Sequence, residues 1–318
     1  MILNQNDGSK MSNKPQFPLY IPSKGRHEFM ITSKALTEMQ VPHFIIIEPQ
    51  QMKDYERSIR AMRLLATPLE LDMSFKEKYE LCDNLGLSKS TGPGPARNFA
   101  WDHSIKNGFD WHWVMDDNIK SFKRMTNKER IKVCSPSFWR VMEDFVLRYN
   151  NVAMAGPNYA MFAFGASKLP PFIINTRIYS CNLIKNDVPF RWRGRYNEDT
   201  ILSLDMLKAK WCTIQFNAFL QEKMQTQVLP GGNTQEFYHS EGKVTNKSPY
   251  ADGGTINKSK MLLDVHPDCC KMKFKFQRWH HHVDYTRFKK QKLIRRDDIE
   301  ISDQPNEYGM RLKRIDRV

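Results

Sequence analysis

Residues His43–Glu48 restrict the possible folds of this 318-residue chain more than any other segment. The four residues inside this range are all apolar, and most of them are β-branched. Such a short, continuous run is typical of a strand buried on both faces, as in a parallel sheet covered by helices. A further strand is predicted at Phe17–Pro22 and a helix at about Glu28–Met39. The chain therefore opens with a β-α-β unit, which indicates an α/β fold.

The alternation of strands and helices continues to about residue 220. Further strands are predicted at Phe109–Met115, Val152–Gly156, Tyr159–Phe164, Ile178–Ile184 and Trp211–Phe219. Helices are predicted over most of residues 50–85, from about Pro95 to Trp101, and over Ser135–Arg148 and Asp199–Lys210. We therefore expect a single α/β domain over residues 17–270, with a Rossmann-like and mainly parallel central sheet. A flexible polar extension (residues 1–16) precedes this domain, and a basic segment (residues 271–318) follows it.

The charge of the chain favours a polyanionic partner. Lysine and arginine together number 49 against 35 acidic residues, so the formal net charge is +14. Ten of these basic residues lie within residues 271–296, where Asp284 is the single acid. Such an excess suits nucleic acid, a phosphorylated ligand or a membrane surface. The alternative is a basic protein that has no such partner.

Cysteine spacing and hydropathy indicate a cytoplasmic protein. The six cysteines are scattered and form no C-x-x-C motif, which argues against a zinc site built from them. The first 16 residues contain no apolar signal segment, and no run of about 18 apolar residues predicts a membrane span. We therefore expect free thiols, no membrane association and a cytoplasmic location, which is the host cytoplasm if a phage encodes the protein.

The acidic motif Asp116-Asp117-Asn118 follows the predicted strand Phe109–Met115. Ligands of open α/β sheets bind beyond the carboxyl ends of the strands. Adjacent carboxylates at that position are hard oxygen ligands suited to Mn²⁺ or Mg²⁺ bridging two phosphates. The alternative is an ordinary acidic turn, because Asp and Asn are also favoured in turns.

A second polar motif spans Arg193–Thr200 and ends at a predicted helix. Either Asp199 or Asn197 can cap that helix, and acids are favoured in its first turn. The functional alternative is a carboxylate that acts as catalytic base or binds the acceptor. Arg193 and Arg195 beside it would suit phosphate or DNA.

Two further motifs contain candidate ligand-binding side chains. Thr91–Asn98 matches neither a P-loop nor a dinucleotide fingerprint, and Arg97 in the first turn of the next helix either reaches a nucleotide or lies at the surface. Arg278–Tyr285 includes three consecutive histidines, of which at most two can face one metal ion. The alternative is a surface histidine run, and the flanking aromatic and basic residues would also suit nucleic acid.

The order of these motifs resembles that of GT-A glycosyltransferases, in which they are called DxD, xED and the C-terminal histidine. Residues 17–290 more narrowly resemble the phage TET-associated glycosyltransferase family. The resemblance is carried by Arg177–Cys181, Arg191–Thr200, Phe216–Leu220, Gly231–Asn233 and Arg278–His281. It implies a GT-A catalytic domain over residues 17–270 and a C-terminal segment that completes the active site. It also implies transfer of a sugar to hydroxymethylated pyrimidines, such as 5-hydroxymethylcytosine, in double-stranded phage DNA.

The resemblance and the motif positions together assign a role to each candidate residue. The expected donor is a nucleotide-sugar, with UDP-sugar as first choice. The residues expected to line the donor are Pro22, Ser23, Arg26, Glu48, Arg97 and Asp116. Asp117 or Asp116, completed by His281 or His280, is expected to bind Mn²⁺ or Mg²⁺. Asp199 is the first candidate for the base and Glu198 the second. The residues expected to contact DNA are Arg193, Arg195, Arg278, Lys289 and Lys290.

Three other functions remain open from the sequence. The enzyme could use a glycan or protein acceptor, in which case the positive charge is incidental. The chain could be a DNA-binding protein with a degenerate, non-catalytic glycosyltransferase fold. A metal-dependent nuclease could use the same carboxylates, although the chain lacks the usual cluster of acids and lysine within one short sheet.

Overall fold

A ten-stranded sheet and a separate two-stranded hairpin organise the fold. The structure, a computed structural model, describes residues 13–83, 90–164, 169–224, 253–275 and 278–300 and isolated positions beyond 300. The strands are β1 (Leu19–Pro22), β2 (His43–Ile47), β3 (Ala66–Glu70), β4 (Trp111–Met115), β5 (Ile119–Thr126), β6 (Glu129–Lys132), β7 (Val152–Tyr159), β8 (Phe172–Ile174), β9 (Cys181–Lys185), β10 (Cys212–Lys223), β11 (Cys270–Lys275) and β12 (Arg278–Val283). The helices are α1 (Ile31–Glu38), α2 (Met52–Ala61), α3 (Ser74–Glu77), α4 (Gly94–Lys106), α5 (Ser137–Val146), α6 (Glu198–Lys208) and α7 (Gly253–Val265).

The large sheet is mixed, with strand order β3-β2-β1-β4-β9-β7-β10-β5-β6, and β8 pairs with β10. The first four strands are parallel to one another. Strand β9 is antiparallel to both β4 and β7, so β4 and β7 point the same way. Strand β10 is parallel to β7. Strand β5 is antiparallel to β10, and β6 is antiparallel to β5. The expected α/β class is confirmed, and the mainly parallel sheet fits the Rossmann-like prediction, because β3-β2-β1-β4 and the pair β7-β10 all run in one direction.

Helices cover both faces of this sheet, as the apolar run in β2 predicted. Leu19 and Ile21 of β1 belong to one core cluster, which also contains Leu36 of α1 and Phe138 of α5. Tyr20, between them, faces the opposite cluster, which includes Trp101 of α4 together with residues of α6. Successive residues of a strand point to opposite faces, so both faces of β1 are buried. The carboxyl ends of β1, β2, β4 and β7 therefore meet at one edge of a rigid, fully covered sheet.

Residues 50–85 are less helical than predicted, because Ala66–Glu70 forms the edge strand β3. Its residues are half-buried or exposed, so it lacks the apolar run of a central strand. Pro68 lies within it, and proline is tolerated at an edge because fewer backbone donors are needed there. The hairpin formed by β5 and β6 was not predicted, since its residues are largely charged.

Strands β7 (Val152–Tyr159) and β10 (Cys212–Lys223) extend beyond their predicted ends, and two other predicted strands differ for local reasons. The apolar stretch predicted as a strand over Tyr159–Phe164 instead leaves the sheet after Tyr159 as a short 3₁₀ helix, Ala160–Phe162. Its apolar side chains do not alternate between faces, and most of them are exposed. Strand β9 begins at Cys181 rather than Ile178, because Ser180 adopts a left-handed backbone conformation with φ of 58°.

The boundary predicted at residue 270 does not separate two units of the structure. Ile201, Leu204 and Leu207 of α6 share one apolar cluster with Met261 of α7 and Phe288. The C-terminal helix, the β11-β12 hairpin and the following turn therefore pack directly on α6.

Several sequence-based predictions fall at or beyond the edges of the described chain. Gln16, the last residue of the predicted N-terminal extension, is anchored by a 2.7 Å hydrogen bond from its backbone N–H to Glu143. Residues 1–12 and the Gly231–Asn233 motif lie outside the described residues.

All six cysteines are free. Among the helices described, none is both long and apolar enough to cross a bilayer.

Candidate active site

Four acidic residues converge at the carboxyl edge of the sheet. Asp116 and Asp117 directly follow β4, and Glu198 and Asp199 form the start of α6. The chain keeps Asp116 in place through Thr32 of α1, whose hydroxyl donates to the Asp116 carbonyl at 2.7 Å and accepts from the Ile119 N–H at 2.8 Å. The turn after β4 is thereby bonded to α1 on both sides of the acidic pair.

The carboxylate of Asp117 points towards the end of β1. Ser23 donates its hydroxyl to Asp117 Oδ2 at 2.8 Å, and the Arg26 guanidinium donates to Oδ1. Tyr55 holds this arrangement, because its hydroxyl lies 2.7 Å from Ser23 Oγ and accepts from the Arg26 N–H at 3.0 Å. Burial raises the pKa of Asp117, although Arg26 and Ser23 oppose that effect.

The carboxylate of Asp116 points the other way, towards α4 and β10. Arg97 Nη2 donates to Oδ1 at 2.7 Å, and Lys223 Nζ donates to Oδ2 at 2.5 Å. Burial alone would raise the pKa of Asp116, but the charges of Lys223 and Arg97 hold it well below its usual range. Asp116 is therefore ionised at neutral pH.

Arg97 connects Asp116 with the start of α6. Its Nη1 atom donates to Asp199 Oδ1 at 2.5 Å and to Glu198 Oε1 at 3.2 Å. The guanidinium lies over the Trp192 ring at 4.5 Å, and only 2% of the residue is exposed. Arg97, which the sequence predicts to hold the nucleotide or to lie at the surface, is instead enclosed by three carboxylates in this arrangement.

Glu198 and Asp199 differ in their surroundings. Asp199 Oδ2 accepts a 3.4 Å hydrogen bond from the Ser180 N–H, in addition to the bond from Arg97. Burial and the neighbouring charge of Asp199 raise the pKa of Glu198, with Arg97 opposing them. Asn197 occupies the N-cap position with φ of 54°, but its side chain does not cap the helix. Its amide instead donates to the Lys258 carbonyl at 2.8 Å, which ties α6 to α7.

Sequence reasoning missed several cationic and hydroxyl side chains of this site. Lys223 donates to Ser180 Oγ at 3.0 Å as well as to Asp116, and Ser180 Oγ lies 2.7 Å from the Tyr159 hydroxyl. The guanidinium of Arg177 lies over the Tyr179 ring at 4.3 Å. Lys223 ends a strand whose preceding residues are mostly buried, and this change of polarity is the one signal that could have identified it.

Among the late histidines, His281 is half-buried beside two cationic side chains, Lys258 and Arg177. Burial, and then the charges of Lys258 and Arg177, lower the pKa of His281 to about 4. Lys258 is itself within electrostatic reach of Glu198 and Asp199. His281 pairs with Met272 in the hairpin, and its neighbour His280 pairs with Lys273. His281 of the C-terminal segment is thus linked electrostatically, through Lys258, to the side of the candidate site formed by the α6 carboxylates.

The residues expected to line the donor do lie together. Pro22 ends β1, Ser23 and Arg26 bind Asp117, and Glu48 follows the end of β2. The buried carboxylate of Glu48 pairs with Lys24 at 3.1 Å and with Lys76. A nucleotide in this position would meet two lysines and one arginine beside these carboxylates.

The residues expected to contact DNA differ from one another in burial and in ion pairing. Arg195 is buried and binds Asp83 Oδ2 at 2.7 Å, so its charge is used within the protein. Arg193 pairs with Asp205 at 2.9 Å. Lys289 and Lys290 are exposed and precede Gln291, whose amide donates to the Leu207 carbonyl near the end of α6 distant from Asp199. Arg278 is the first residue of β12, and the position of its side chain lies outside the description.

The donor set after β4 fits a hard divalent cation that also binds phosphate oxygens. Mg²⁺ sites commonly use one or two carboxylates plus substrate phosphates, and Asp116 and Asp117 supply these carboxylates. In the protein alone, their four oxygens are held by Ser23, Arg26, Arg97 and Lys223. No group of three His, Cys, Asp or Glu side chains in the described residues could hold a metal. The histidines expected to complete the metal shell are therefore not assembled with the two aspartates.

Comparison with known families places the chain in relation to a glycosyltransferase family. A family model described as TET-Associated Glycosyltransferase matches residues 17–232. The match covers more than half of the chain and runs from before β1 to beyond β10, so it contains all four acids and Arg97. No curated protein matches the chain.

Proposed function

The chain belongs to the TET-associated glycosyltransferase family, and from that membership we propose that it transfers a sugar from a UDP-sugar to a hydroxymethylated pyrimidine in double-stranded DNA. The proposed acceptor group is the hydroxymethyl of 5-hydroxymethylcytosine or a related base. The formal charge of +14 supports a DNA acceptor independently of the family. The proposal also assigns the mixed sheet and its flanking helices to the GT-A fold.

The observation that carries the proposal is the Arg97-centred cluster at the carboxyl edge of the sheet. One buried guanidinium binds Asp116, which we assign to the diphosphate of the donor, and also Glu198 and Asp199, which we assign to the acceptor hydroxyl. A transferase needs charge compensation at the leaving diphosphate and a carboxylate near the acceptor hydroxyl. The cluster supports both tasks with a fixed spacing between them.

On the donor side, cationic residues offset the charge of the diphosphate. Arg26 and Lys223 are partly exposed and already bind the two aspartates, so small side-chain movements would let them contact phosphate oxygens. The proposed Mn²⁺ or Mg²⁺ would be held by Asp117 and Asp116, and when bound it supplies Lewis-acid neutralisation of the leaving group. Lys223 and Arg97 keep Asp116 ionised, which a metal ligand requires.

On the acceptor side, a carboxylate of α6 accepts the hydroxymethyl proton if the transfer inverts the anomeric carbon. The bond from that carbon to the diphosphate oxygen breaks, the bond to the hydroxymethyl oxygen forms, and the proton moves to the carboxylate. A base works best when its pKa lies near the working pH, and the pKa of Glu198 is raised to about 7. Asp199 is more firmly held, by Arg97 and Ser180. We therefore place Glu198 ahead of Asp199 as the base, with Asp199 orienting Arg97.

The direct test is chemical analysis of DNA after incubation. Purified protein is incubated with a duplex containing 5-hydroxymethylcytosine, with Mn²⁺ and with each UDP-sugar of a panel in turn. The DNA is then digested to nucleosides, and their masses are measured by mass spectrometry. The controls are the same duplex with plain cytosine, added EDTA, and the double variant Asp116→Asn/Asp117→Asn, which keeps the side-chain size. We expect a mass gain of one sugar on the hydroxymethylated nucleoside with one donor, and no gain on plain cytosine.

Each alternative gives a different result. No gain with any donor, although folded protein binds the duplex, would contradict DNA glycosylation and favour a binding protein. Hydrolysis of a UDP-sugar without transfer to DNA would indicate a transferase for a glycan or protein acceptor. A gain that persists in EDTA would leave the transferase in place and remove the metal from the proposal.

A further inference from the structure

An exposed apolar loop follows β7 beside the candidate active site. This aromatic loop, Ala160–Phe164, exposes 51% of Met161, 54% of Phe162 and 59% of Phe164. Loops normally expose polar side chains, and adjacent large apolar side chains at a surface mark an interaction site. The backbone is anchored from below, because Ala160 and Ala163 are buried against Leu220. The loop therefore presents its large side chains outwards from a fixed base.

A continuous series of contacts joins the aromatic loop to the reaction centre. The Phe162 ring packs edge-on against the Tyr159 ring, with 5.7 Å between centroids. The Tyr159 hydroxyl lies 2.7 Å from Ser180 Oγ, which accepts from Lys223 at 3.0 Å. Lys223 in turn binds Asp116. The loop thus lies at the same edge of the sheet as the candidate catalytic acids.

A basic hairpin lies on the other side of the aromatic loop. Arg130 of β6 donates to the Ala160 carbonyl at 2.7 Å, and Met125 of β5 packs on the loop's buried alanines. The β5-β6 hairpin exposes Lys120, Arg124, Lys128, Arg130 and Lys132. The acids that face these residues are fewer: Glu129 on the hairpin, Glu38, which pairs with Lys132, and Glu222, which pairs with Lys123. Arg130 and Lys132 share the strand face of Met125, whereas Lys120 and Arg124 lie on the opposite face, so cationic side chains border the apolar loop on its hairpin side. An apolar patch beside cationic side chains complements a nucleic acid.

The burial of the Glu198 and Asp199 carboxylates determines how a target nucleobase can reach them. The side chains of Glu198 and Asp199 are each only 14% exposed, so their oxygens lie recessed below the surface. The hydroxymethyl group on C5 projects only a short way into the major groove of a stacked duplex. Carboxylates with so little exposed surface are more accessible to a nucleobase that has left the stack than to one that remains in it. Enzymes with such recessed sites rotate the target nucleotide out of the helix, and the gap in the stack must then be filled.

We propose that Phe162 and Phe164 insert into the base stack of the acceptor duplex while the β5-β6 hairpin holds its phosphates, so that the target pyrimidine is presented outside the helix. This inference rests on the proposed DNA acceptor and deepens it, because it assigns the surface and the mode of recognition. Apolar side chains that wedge between base steps and basic residues that contact the backbone are a common combination in proteins that distort DNA. The loop and the hairpin supply these two elements side by side.

The test compares the double variant Phe162→Ala/Phe164→Ala with Ile294→Ala. Ile294 is 58% exposed, and its carbonyl accepts from the Asn150 N–H just before β7, at the end of that strand opposite Tyr159. The control side chain is thus equally exposed but roughly 25 Å away along the strand. Phe162→Leu/Phe164→Leu keeps the apolar packing while removing the aromatic faces. Thermal melting of each variant establishes that it is folded.

Two readouts separate this inference from the proposed function. The first is the fluorescence of 2-aminopurine placed next to 5-hydroxymethylcytosine, measured without a donor. We expect wild type and Ile294→Ala to raise it, the alanine variant to lose most of the increase, and the leucine variant, whose side chains can still wedge between base steps, to retain part of it. The second is the rate of sugar transfer to duplex and to single-stranded DNA. The alanine variant should lose roughly 10-fold or more on duplex and much less on single strands, where no stack has to be opened.

The outcomes are distinct. Equal fluorescence and equal duplex activity for wild type and the alanine variant would overturn the inference and leave glycosyl transfer intact. The same loss on duplex and single strands would also overturn it, because the loop would then act on the site itself. Absence of transfer by wild type to any hydroxymethylated DNA, with the fluorescence increase present, would contradict the proposed function while supporting DNA distortion by the loop.

Discussion

Arg97 and Asp199 are joined by a 2.5 Å hydrogen bond from Nη1 to Oδ1, across 102 positions of the chain. The other terminal nitrogen of the same guanidinium binds Asp116 at 2.7 Å. One buried arginine therefore sets the distance between the end of β4 and the start of α6. The planar fork of arginine suits this role because its nitrogens diverge at fixed angles, whereas lysine presents a single point charge.

Replacing Arg97 should impair both stability and catalysis. Arg97→Met leaves three carboxylates without their shared cation, and removal of one partner of a buried ion pair costs about 3 kcal/mol or more of unfolding free energy. Arg97→Lys keeps the charge but cannot reach both acidic groups, so we expect an intermediate stability. For variants that stay folded, kcat should fall about 100-fold, because displaced catalytic groups lose their alignment. Denaturant unfolding and kcat on hydroxymethylated duplex measure the two effects.

The control for Arg97 is Arg193→Met, which removes a less buried arginine from an ion pair with Asp205. It should destabilise the protein less and leave kcat within a few-fold of wild type. Equal loss of kcat in the two variants would show that general loosening of the fold, rather than the position of the acids, limits the reaction.

Lys223 should compete with a divalent cation for Asp116. Its ammonium lies 2.5 Å from Asp116 Oδ2, and a positive charge so close opposes the approach of a second cation. We expect Lys223→Met to increase the affinity for Mn²⁺ in the absence of donor, measured from the electron paramagnetic resonance signal of free Mn²⁺. The same variant should lower kcat, because a cation at the leaving diphosphate is removed.

Lys123→Met is the matched control for Lys223, since Lys123 pairs with Glu222 on the neighbouring strand. It should leave Mn²⁺ affinity unchanged. If neither lysine variant changes Mn²⁺ affinity, Asp116 does not take part in metal binding.

The identity of the base can be determined from pH profiles. Burial and the charge of Asp199 raise the pKa of Glu198 to about 7, and only its ionised form can accept a proton. The rate on hydroxymethylated duplex should therefore rise with pH through about 7 and level off above it. Glu198→Gln should lower the plateau by about 100-fold and abolish this rise. Asp199→Asn should retain a rise at a reduced rate, shifted to lower pH because the Asp199 charge that raises the pKa of Glu198 is removed. A rise that survives in Glu198→Gln and disappears in Asp199→Asn would transfer the role to Asp199.

Glu143 should make the stability of the protein depend on pH. It is fully buried and accepts hydrogen bonds from the Gln16 N–H and the Trp113 indole, and burial raises its pKa from 4.5 to about 7. Because the folded state holds the proton to higher pH, this contribution is fully present below pH 4.5 and is lost as pH rises through about 7. The variant Glu143→Gln cannot lose a proton and should lack this dependence.

The measurement is the difference in unfolding free energy between wild type and Glu143→Gln as a function of pH. Other titrating groups, such as the buried His43, cancel in that difference. Between pH 4.5 and 7, the unfolding free energy of wild type should fall by about 3 kcal/mol relative to that of Glu143→Gln, in proportion to the shift in pKa. A difference that stays constant over this range would mean that Glu143 titrates alike in the folded and unfolded chain.

The sequence by itself determined the opening of the fold and the position of the first acidic motif. An apolar run such as that of β2 is stable only when both faces are covered, so the α/β class follows from local composition. The acids after β4 were identifiable because a buried strand that ends in carboxylates places them at the ligand-binding edge of the sheet. The start of α6 was predicted nearly correctly for a similar local reason, the acids in its first turn.

Only the tertiary structure decided which groups these acids meet. Nothing local to Arg97 or Lys223 indicates that both bind Asp116, since their contacts span 19 and 107 positions of the chain. The antiparallel β9, the edge strand β3 and the exposed loop after Tyr159 also depend on long-range pairing rather than on local pattern. Partner choice for a charged side chain depends on which elements the fold brings within a few ångströms, because hydrogen bonds and burial act at that distance and not along the sequence.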